Sequence, residues 1–331
     1  MRRRNFLSLF GGTLCCSAVP SSVLSGSGYR SLQLARPDEN ASVLVKVLGT
    51  AQDGGIPHVG CSCSNCARAR LDPRRARLIA SLAIADPGLK RFFLIDATPD
   101  IRSQLDLALQ MFGSEPPPLR ESLAGVLLTH AHIGHYTGLM FFGYESMSAD
   151  RLAVYASSRM ARFLKENGPW SQLVRLGNIE LRPLVPEESL SLTETVSITP
   201  FLVPHRDEYS DTLGLKISGP AKTLLYIPDI QSWESWDRSI TVELGETDFA
   251  LLDGTFFGPE ELPGRDLAAI GHPPIRDSLK IFAKLGNERK AGIFFTHLNH
   301  SNLALDPDGE SRSEMERAGF RLASEGQVFV L

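Results

Sequence analysis

Apolar residues in this chain fall in short bursts, and the spacing within each burst decides which element it can form. Residues 43–48 are apolar and rich in β-branched side chains, which predicts a buried strand, and the Gly- and Pro-punctuated stretch 49–60 predicts a loop after it. Further strands are predicted at 81–85, 92–95, 125–128, 152–155, 196–203, 213–217, 223–227, 249–252, 293–295 and 327–330. Helical spacing is found at 100–111, 158–165, 275–284 and 313–318. Many short strands with helices between them predict an α/β chain, two packed sheets covered by helices. Polar residues stand just after six of the strands, namely Asp96, His130, His205, Asp229, Asp253 and His297. Catalytic side chains gather on loops held by a rigid scaffold, so these strand ends mark one candidate site.

The first residues break this pattern. Arg2, Arg3 and Arg4 precede Asn5-Phe6-Leu7, an apolar stretch to about residue 19 and small residues through Gly28. That is the tripartite layout of an export signal over 1–27, followed by a polar linker over 28–42 and a single domain over 43–331. Arg3-Arg4-Asn5-Phe6-Leu7 resembles a twin-arginine signal, which implies export of the folded chain and a periplasmic location. A frayed basic terminus or a single anchor is the alternative. The stretch is short of the ~20 residues a spanning helix needs, so cleavage between residues 18 and 27 and no stable membrane anchor are expected.

The 331 residues are 43% hydrophobic and 22% charged, enough for a sizeable core. A formal charge of -4 gives no overall field for nucleic acid, so a small-molecule partner is expected, and homo-oligomerisation stays open. Arg68, Arg70, Arg74, Arg75 and Arg77 form either a solvated turn or helix face or a patch that steers anionic substrates.

Six of the eight histidines and three thiols fall at metal-ligand spacing. His130-Ala131-His132-Ile133-Gly134-His135 follows a buried strand, where two histidines can point at one ion and the third at another, and a histidine-rich surface turn is the plainer alternative. Signal cleavage removes Cys15 and Cys16 and leaves Cys61, Cys63 and Cys66, an odd number packed too closely for a disulfide framework. With His300 they make a Cys3His set of the closed kind that holds structural zinc, and incidental or redox-active thiols are the alternative. Folding before export would let that metal load in the cytoplasm. His58 reads as an ordinary loop residue, and Asp253 either orients a ligand or holds a turn.

The histidine motif resembles the His-x-His-x-Asp-His signature of the metallo-β-lactamase superfamily, with Gly134 where the signature has Asp. The resemblance runs over nearly all of 43–331 and implies an αββα sandwich with its metals at one edge of the sheets. It carries Asp96 to the structural aspartate, His205 and His297 to further ligands, and Asp229 to the carboxylate that bridges both metals. It implies His130, His132 and His205 on one ion, with His135 and His297 on a second. His272, in Gly271-His272-Pro273-Pro274, matches a general acid of the phosphodiesterase branch, and a helix cap is the alternative. The Cys-x-Cys-x-x-Cys loop paired with a histidine after the last catalytic one resembles the carbon-phosphorus lyase pathway phosphodiesterase.

Over the whole chain the resemblance is strongest to the family of coenzyme PQQ synthesis protein B. Val47-Leu48-Gly49-Thr50, Gly54-Gly55-Ile56-Pro57, Thr98-Pro99-Asp100-Ile101, Leu252-Asp253-Gly254-Thr255-Phe256 and His297-Leu298-Asn299 carry it. That family typically lacks the first two histidines of the motif, and this chain keeps both. The resemblance implies a metal-dependent hydrolase of a phosphodiester or other ester, using one or two Zn, Mn or Fe ions and a metal-activated hydroxide, with Asp229 and His272 as catalytic residues. The alternatives are an iron-dependent oxidation in quinone cofactor biosynthesis and a non-catalytic periplasmic metal-binding protein. Gly134 should weaken the second ion unless water or another side chain such as Asp53 fills the gap, so Gly134→Asp is expected to raise its occupancy.

Overall fold

In the computed structural model, which describes residues 43–265 and 270–331, the strands sort into two mixed sheets of seven. The first sheet holds β1 (Leu44–Gly49), β2 (Ser81–Asp86), β3 (Arg91–Ile95), β4 (Leu123–Leu127), β5 (Leu152–Ala156) and β6 (Ile179–Pro183). The second holds β7 (Leu190–Ser191), β8 (Ser197–Leu202), β9 (Leu213–Ser218), β10 (Thr223–Ile227), β11 (Phe249–Asp253), β12 (Ile293–Thr296) and β13 (Arg321–Leu322), and β14 (Val328–Val330) returns to the first sheet beside β1. Neighbours run in the order β14-β1-β2-β3-β4-β5-β6 and β13-β12-β11-β10-β9-β8-β7. The expected export signal and linker, with Cys15 and Cys16, lie outside the described residues.

Side-chain alternation builds the layers. In β1, Val45 and Val47 join the core between the sheets while Leu44 and Leu48 join the core under the helices. Lys46, on the helix side, is buried by sending its Nζ to the Leu107 carbonyl at 2.8 Å. The central core sets Leu82, Ile84, Phe93, Ile95 and Leu127 of one sheet against Ile198, Leu215, Ile217, Tyr226, Leu251 and Phe294 of the other. Each outer face is sealed by helices, Ile101–Leu109 and Ser158–Glu166 on the first sheet and Ile240–Gly245 and Ile275–Ile281 on the second. The result is the expected αββα sandwich.

Parallel pairing places the site. β3 to β6 are mutually parallel, as are β10 to β13. Parallel neighbours need crossover connections, which these helices supply, and every such strand then ends at the same edge of its sheet. The loops after β3, β4, β10, β11 and β12 therefore leave together, carrying Asp96, His130, Asp229, Asp253 and His297.

The predicted strands are found within one or two residues of their expected ends. Absent from the expectation are β6, an edge strand ending in Pro183, and the two-residue strands β7 and β13, too short to show a period. The last expected helix starts earlier, at Glu310, because Gly309 accepts as its N-terminal flank and the polar first turn hides the helical spacing.

Candidate metal centre

The loops after β3, β4, β11 and β12 deliver ligand-type side chains together with groups that orient them. Asp96 closes β3 and is fully buried, and its carboxylate takes hydrogen bonds from the Thr129 N–H at 2.8 Å and from the Thr129 hydroxyl, and lies 2.7 Å from His135 Nδ1. Thr129 Oγ1 also reaches His130 Nδ1 at 3.0 Å. On the other sheet Asp253 does the same work, 2.7 Å from His272 Nδ1 and accepting from the Thr255 hydroxyl at 2.8 Å. Thr255 Oγ1 stands 3.0 Å from His297 Nδ1. An imidazole whose Nδ1 is held this way presents Nε2 to the pocket with its tautomer set.

The Nε2 atoms of His130, His135, His205 and His297 converge on Asp229, which His272 approaches with Nδ1 at 3.8 Å. Its Oδ2 lies 3.2 Å from His135 Nε2, 3.2 Å from His297 Nε2 and 3.8 Å from His130 Nε2, while its Oδ1 lies 3.5 Å from His205 Nε2. One carboxylate thus faces two groups of imidazoles. His130, His132, His205 and Asp229 offer ligand atoms within 4.8 Å of one another, as do Asp53, His135 and His297, and again Asp229, His272 and His297.

The donor set fits divalent cations. Among the described residues eight buried side-chain nitrogen or oxygen atoms lack a hydrogen-bond partner, and five are here: His135 Nε2, both ring nitrogens of His205, Asp229 Oδ2 and His297 Nε2. Leaving such atoms unpaired costs roughly 1–3 kcal/mol each, so a cluster of them facing one point calls for a cation. The electrostatics agree. Burial would raise the Asp229 carboxyl, but the imidazoles of His297, His130 and His135 outweigh it and hold it well below the usual range. Burial lowers His130 and His297, and takes His205 down to about 4. His135 and His272 go the other way, because Asp96 and Asp229 for the first and Asp253 for the second outweigh the burial that would lower them.

A second cluster lies alongside. The sulfurs of Cys61, Cys63 and Cys66 and a ring nitrogen of His300 lie within 4.8 Å of one another, with His300 Nδ1 3.4 Å from Cys61 Sγ and 3.5 Å from Cys63 Sγ. Burial pushes the Cys66 thiol up to about 11, while the Cys63 N–H lowers Cys61.

The Beta-lactamase superfamily domain matches residues 91–297. Coenzyme PQQ synthesis protein B of Rhodopseudomonas palustris (strain BisB5) is 30% identical over 315 residues, covering 87% of this chain and 99% of that protein. The chain belongs to the metallo-β-lactamase superfamily. The counterpart from Gluconobacter oxydans is also 30% identical, covering 87% of this chain and 98% of its own. Among solved structures, zinc-bound PqqB from Methylobacterium extorquens superimposes with a TM-score of 0.74 at 25% identity, over 87% of this chain and 100% of that one. A diphosphatase from the PhnP family shares the fold, with a TM-score of 0.61 at 22% identity over 88% of this chain and 97% of that one. The zinc-bound neighbour and the clusters together support divalent metal binding in this superfamily member.

Every residue that the superfamily resemblance picked out lies in one of the two clusters or directly beside them. Two details differ from expectation and one sharpens it. The cysteine cluster takes its imidazole from His300, and His58 sits beside it, its ring tilted over His300 with centroids 4.6 Å apart and its backbone N–H pointing at Cys66 Sγ at 3.2 Å. The arginines are not one face: Arg77 is inward, donating to Thr50 Oγ1 at 3.0 Å, Arg70 holds the His58 carbonyl at 2.9 Å, and Arg68 pairs with Asp306. The expectation that Gly134→Asp would fill the second site meets a steric bar, because a Cβ at 134 would stand 2.7 Å from Asp53 Cα. The sequence does not single out Thr129, which precedes His130 by one residue, nor the role of Thr255, which follows Asp253 by two within the 252–256 motif.

Proposed function

We propose that this protein is a metal-dependent hydrolase of esters, with phosphodiesters and cyclic esters as the preferred class. The observation that carries the reading is the convergence of unpaired buried imidazole nitrogens on the Asp229 carboxylate, next to His272, whose Nδ1 lies 2.7 Å from Asp253. His130, His132 and His205 would hold one ion and His135 and His297 a second, with Asp229 shared. Divalent cations so bound supply Lewis acidity and lower the pKa of water, which suits attack on phosphorus or a carbonyl. Asp253 fixes a proton on His272 Nδ1, and the raised pKa of that ring favours a second proton on Nε2, ready for the leaving oxygen. A cavity of about 440 Å³ lies beside these loops, and its wall carries both Arg265 and Glu261 with Gln52, Phe256 and Asn299.

In this reading Cys61, Cys63, Cys66 and His300 hold a structural zinc, and the N-terminal signal sends the folded chain to the periplasm. Among the described residues no helix is long and apolar enough to cross a membrane. A second reading, a role in PQQ biosynthesis, is favoured by the 30% identity to coenzyme PQQ synthesis protein B along 99% of that protein. One experiment separates them: elemental analysis of protein isolated without added metal, with a screen of phosphodiesters and lactones and a parallel oxygen-uptake assay. Ester turnover with bound zinc or manganese is the expected result. Iron with oxygen uptake and no ester turnover overturns the hydrolase reading, as does metal binding with no turnover of any kind.

A further inference from the structure

Position 134 is glycine in a short helix, Ile133–Tyr136, and its backbone does not fall in the left-handed region, so no conformational reason demands glycine there. The reason is space. A Cβ built on Gly134 would stand 2.2 Å from Asp53 Oδ1, 2.7 Å from Asp53 Cα and 3.0 Å from Asp53 Cγ. The carboxylate of Asp53 thus lies where a side chain from position 134 would begin. The Gly134 N–H donates to Asp53 Oδ1 at 3.1 Å and the same oxygen lies 3.6 Å from His135 Nε2.

Its own loop holds Asp53 there. Ala51 bridges to both Ile79 and Leu298, Leu298 N–H donates to the Thr50 carbonyl at 2.7 Å and Gln52 N–H to the Leu298 carbonyl at 2.9 Å. The segment that carries Asp53 is therefore laced to the segment that carries His297. Without it, His135 and His297 would offer an ion two rings and a share of Asp229; with it, the second ion gains a carboxylate of its own, which a hard or borderline divalent cation favours. Asp53 also lies outside the stretch 91–297 that matches the superfamily domain.

We infer that Asp53 is the carboxylate ligand of the second ion, supplied from the loop after β1, and that Gly134 is the gap that admits it. The inference rests on the two-ion reading above. Its test is titration of the metal-stripped full chain with zinc by calorimetry, and with cobalt so that thiolate charge-transfer absorption counts the cysteine site apart. Wild type should take two ions at the histidine centre. Asp53→Asn, which keeps size and the Gly134 hydrogen bond, should bind the second at least about tenfold more weakly with the first unchanged. Gly134→Ala, whose Cβ displaces Asp53, should show the same loss, and the double variant should lose no more than either single one. Two ions at unchanged affinity in Asp53→Asn overturn the inference; a single ion at this centre in wild type overturns the two-ion reading instead. Unaltered melting of Asp53→Asn excludes misfolding as the cause.

Discussion

Asp96, His272 and His297 sit on left-handed backbone, with φ of 64°, 71° and 57°. For residues other than glycine that conformation costs roughly 1–3 kcal/mol, and it persists only where neighbours over-determine it. Here the neighbours are the hydrogen bonds from Thr129 and Thr255 and the packing of His272 against the ring of Phe256, 6.1 Å away between centroids. At Asp96 and His297 the turn lets the chain leave its strand and aim a side chain back into the pocket, and at His272 it does so ahead of the helix Ile275–Ile281. It also decides which replacement is informative: Asn tolerates positive φ, whereas Val would add strain. His272→Asn is therefore expected to keep its metal and lose about 10²–10⁴-fold in turnover of alkyl phosphodiesters or lactones. Esters with a nitrophenolate leaving group, which need no proton, should lose far less. Equal losses for both leaving groups, read from steady-state rates, would remove His272 as the proton donor.

Between elements, the turn from β13 to β14 carries a buried acid with a pH signature. Glu325 accepts from the Leu78 N–H at 2.6 Å, and burial pushes its carboxyl up to about 7, against the pull of that N–H and of Arg77. A folded-state pKa raised above the unfolded value near 4.5 means the native state holds the extra proton between those values. Stability from this group is thus lost as pH rises from about 4.5 through about 7. Glu325→Gln should melt higher than wild type at pH 8, and the difference should shrink towards pH 5. A difference that does not vary with pH would refute the burial of an acidic proton here. The same elements show what a sequence can and cannot disclose. Strand ends such as Phe92 to Asp96 are legible because a buried run stops abruptly at a charged residue. β6 is not, because an edge strand is half exposed and lacks a clean period. Asp53 was visible only as one candidate among others, since what singles it out is a contact with Gly134 across 81 positions.

At the scale of the molecule, two polypeptide segments serve both clusters. One runs from Asp53 to Cys66; the other holds His297 and His300. They are tied by Asn65, whose amide donates to the His300 carbonyl at 3.0 Å and to the Asn302 carbonyl at 3.1 Å. Removing a sulfur should therefore be felt in both places. Cys63→Ser is expected to lower Tm by about 3 °C, the shift that ~2 kcal/mol gives at this size, and to weaken metal at the histidine centre although no histidine has changed. A variant with normal affinity there would show the clusters to be independent. The shared segments also carry a vulnerability. Oxidation that joins two of these sulfurs would loosen the loop that carries Asp53 and its ties to the segment of His297, so chemical damage at an outer thiol would be read as lost metal at the histidine centre without any oxidant reaching an imidazole.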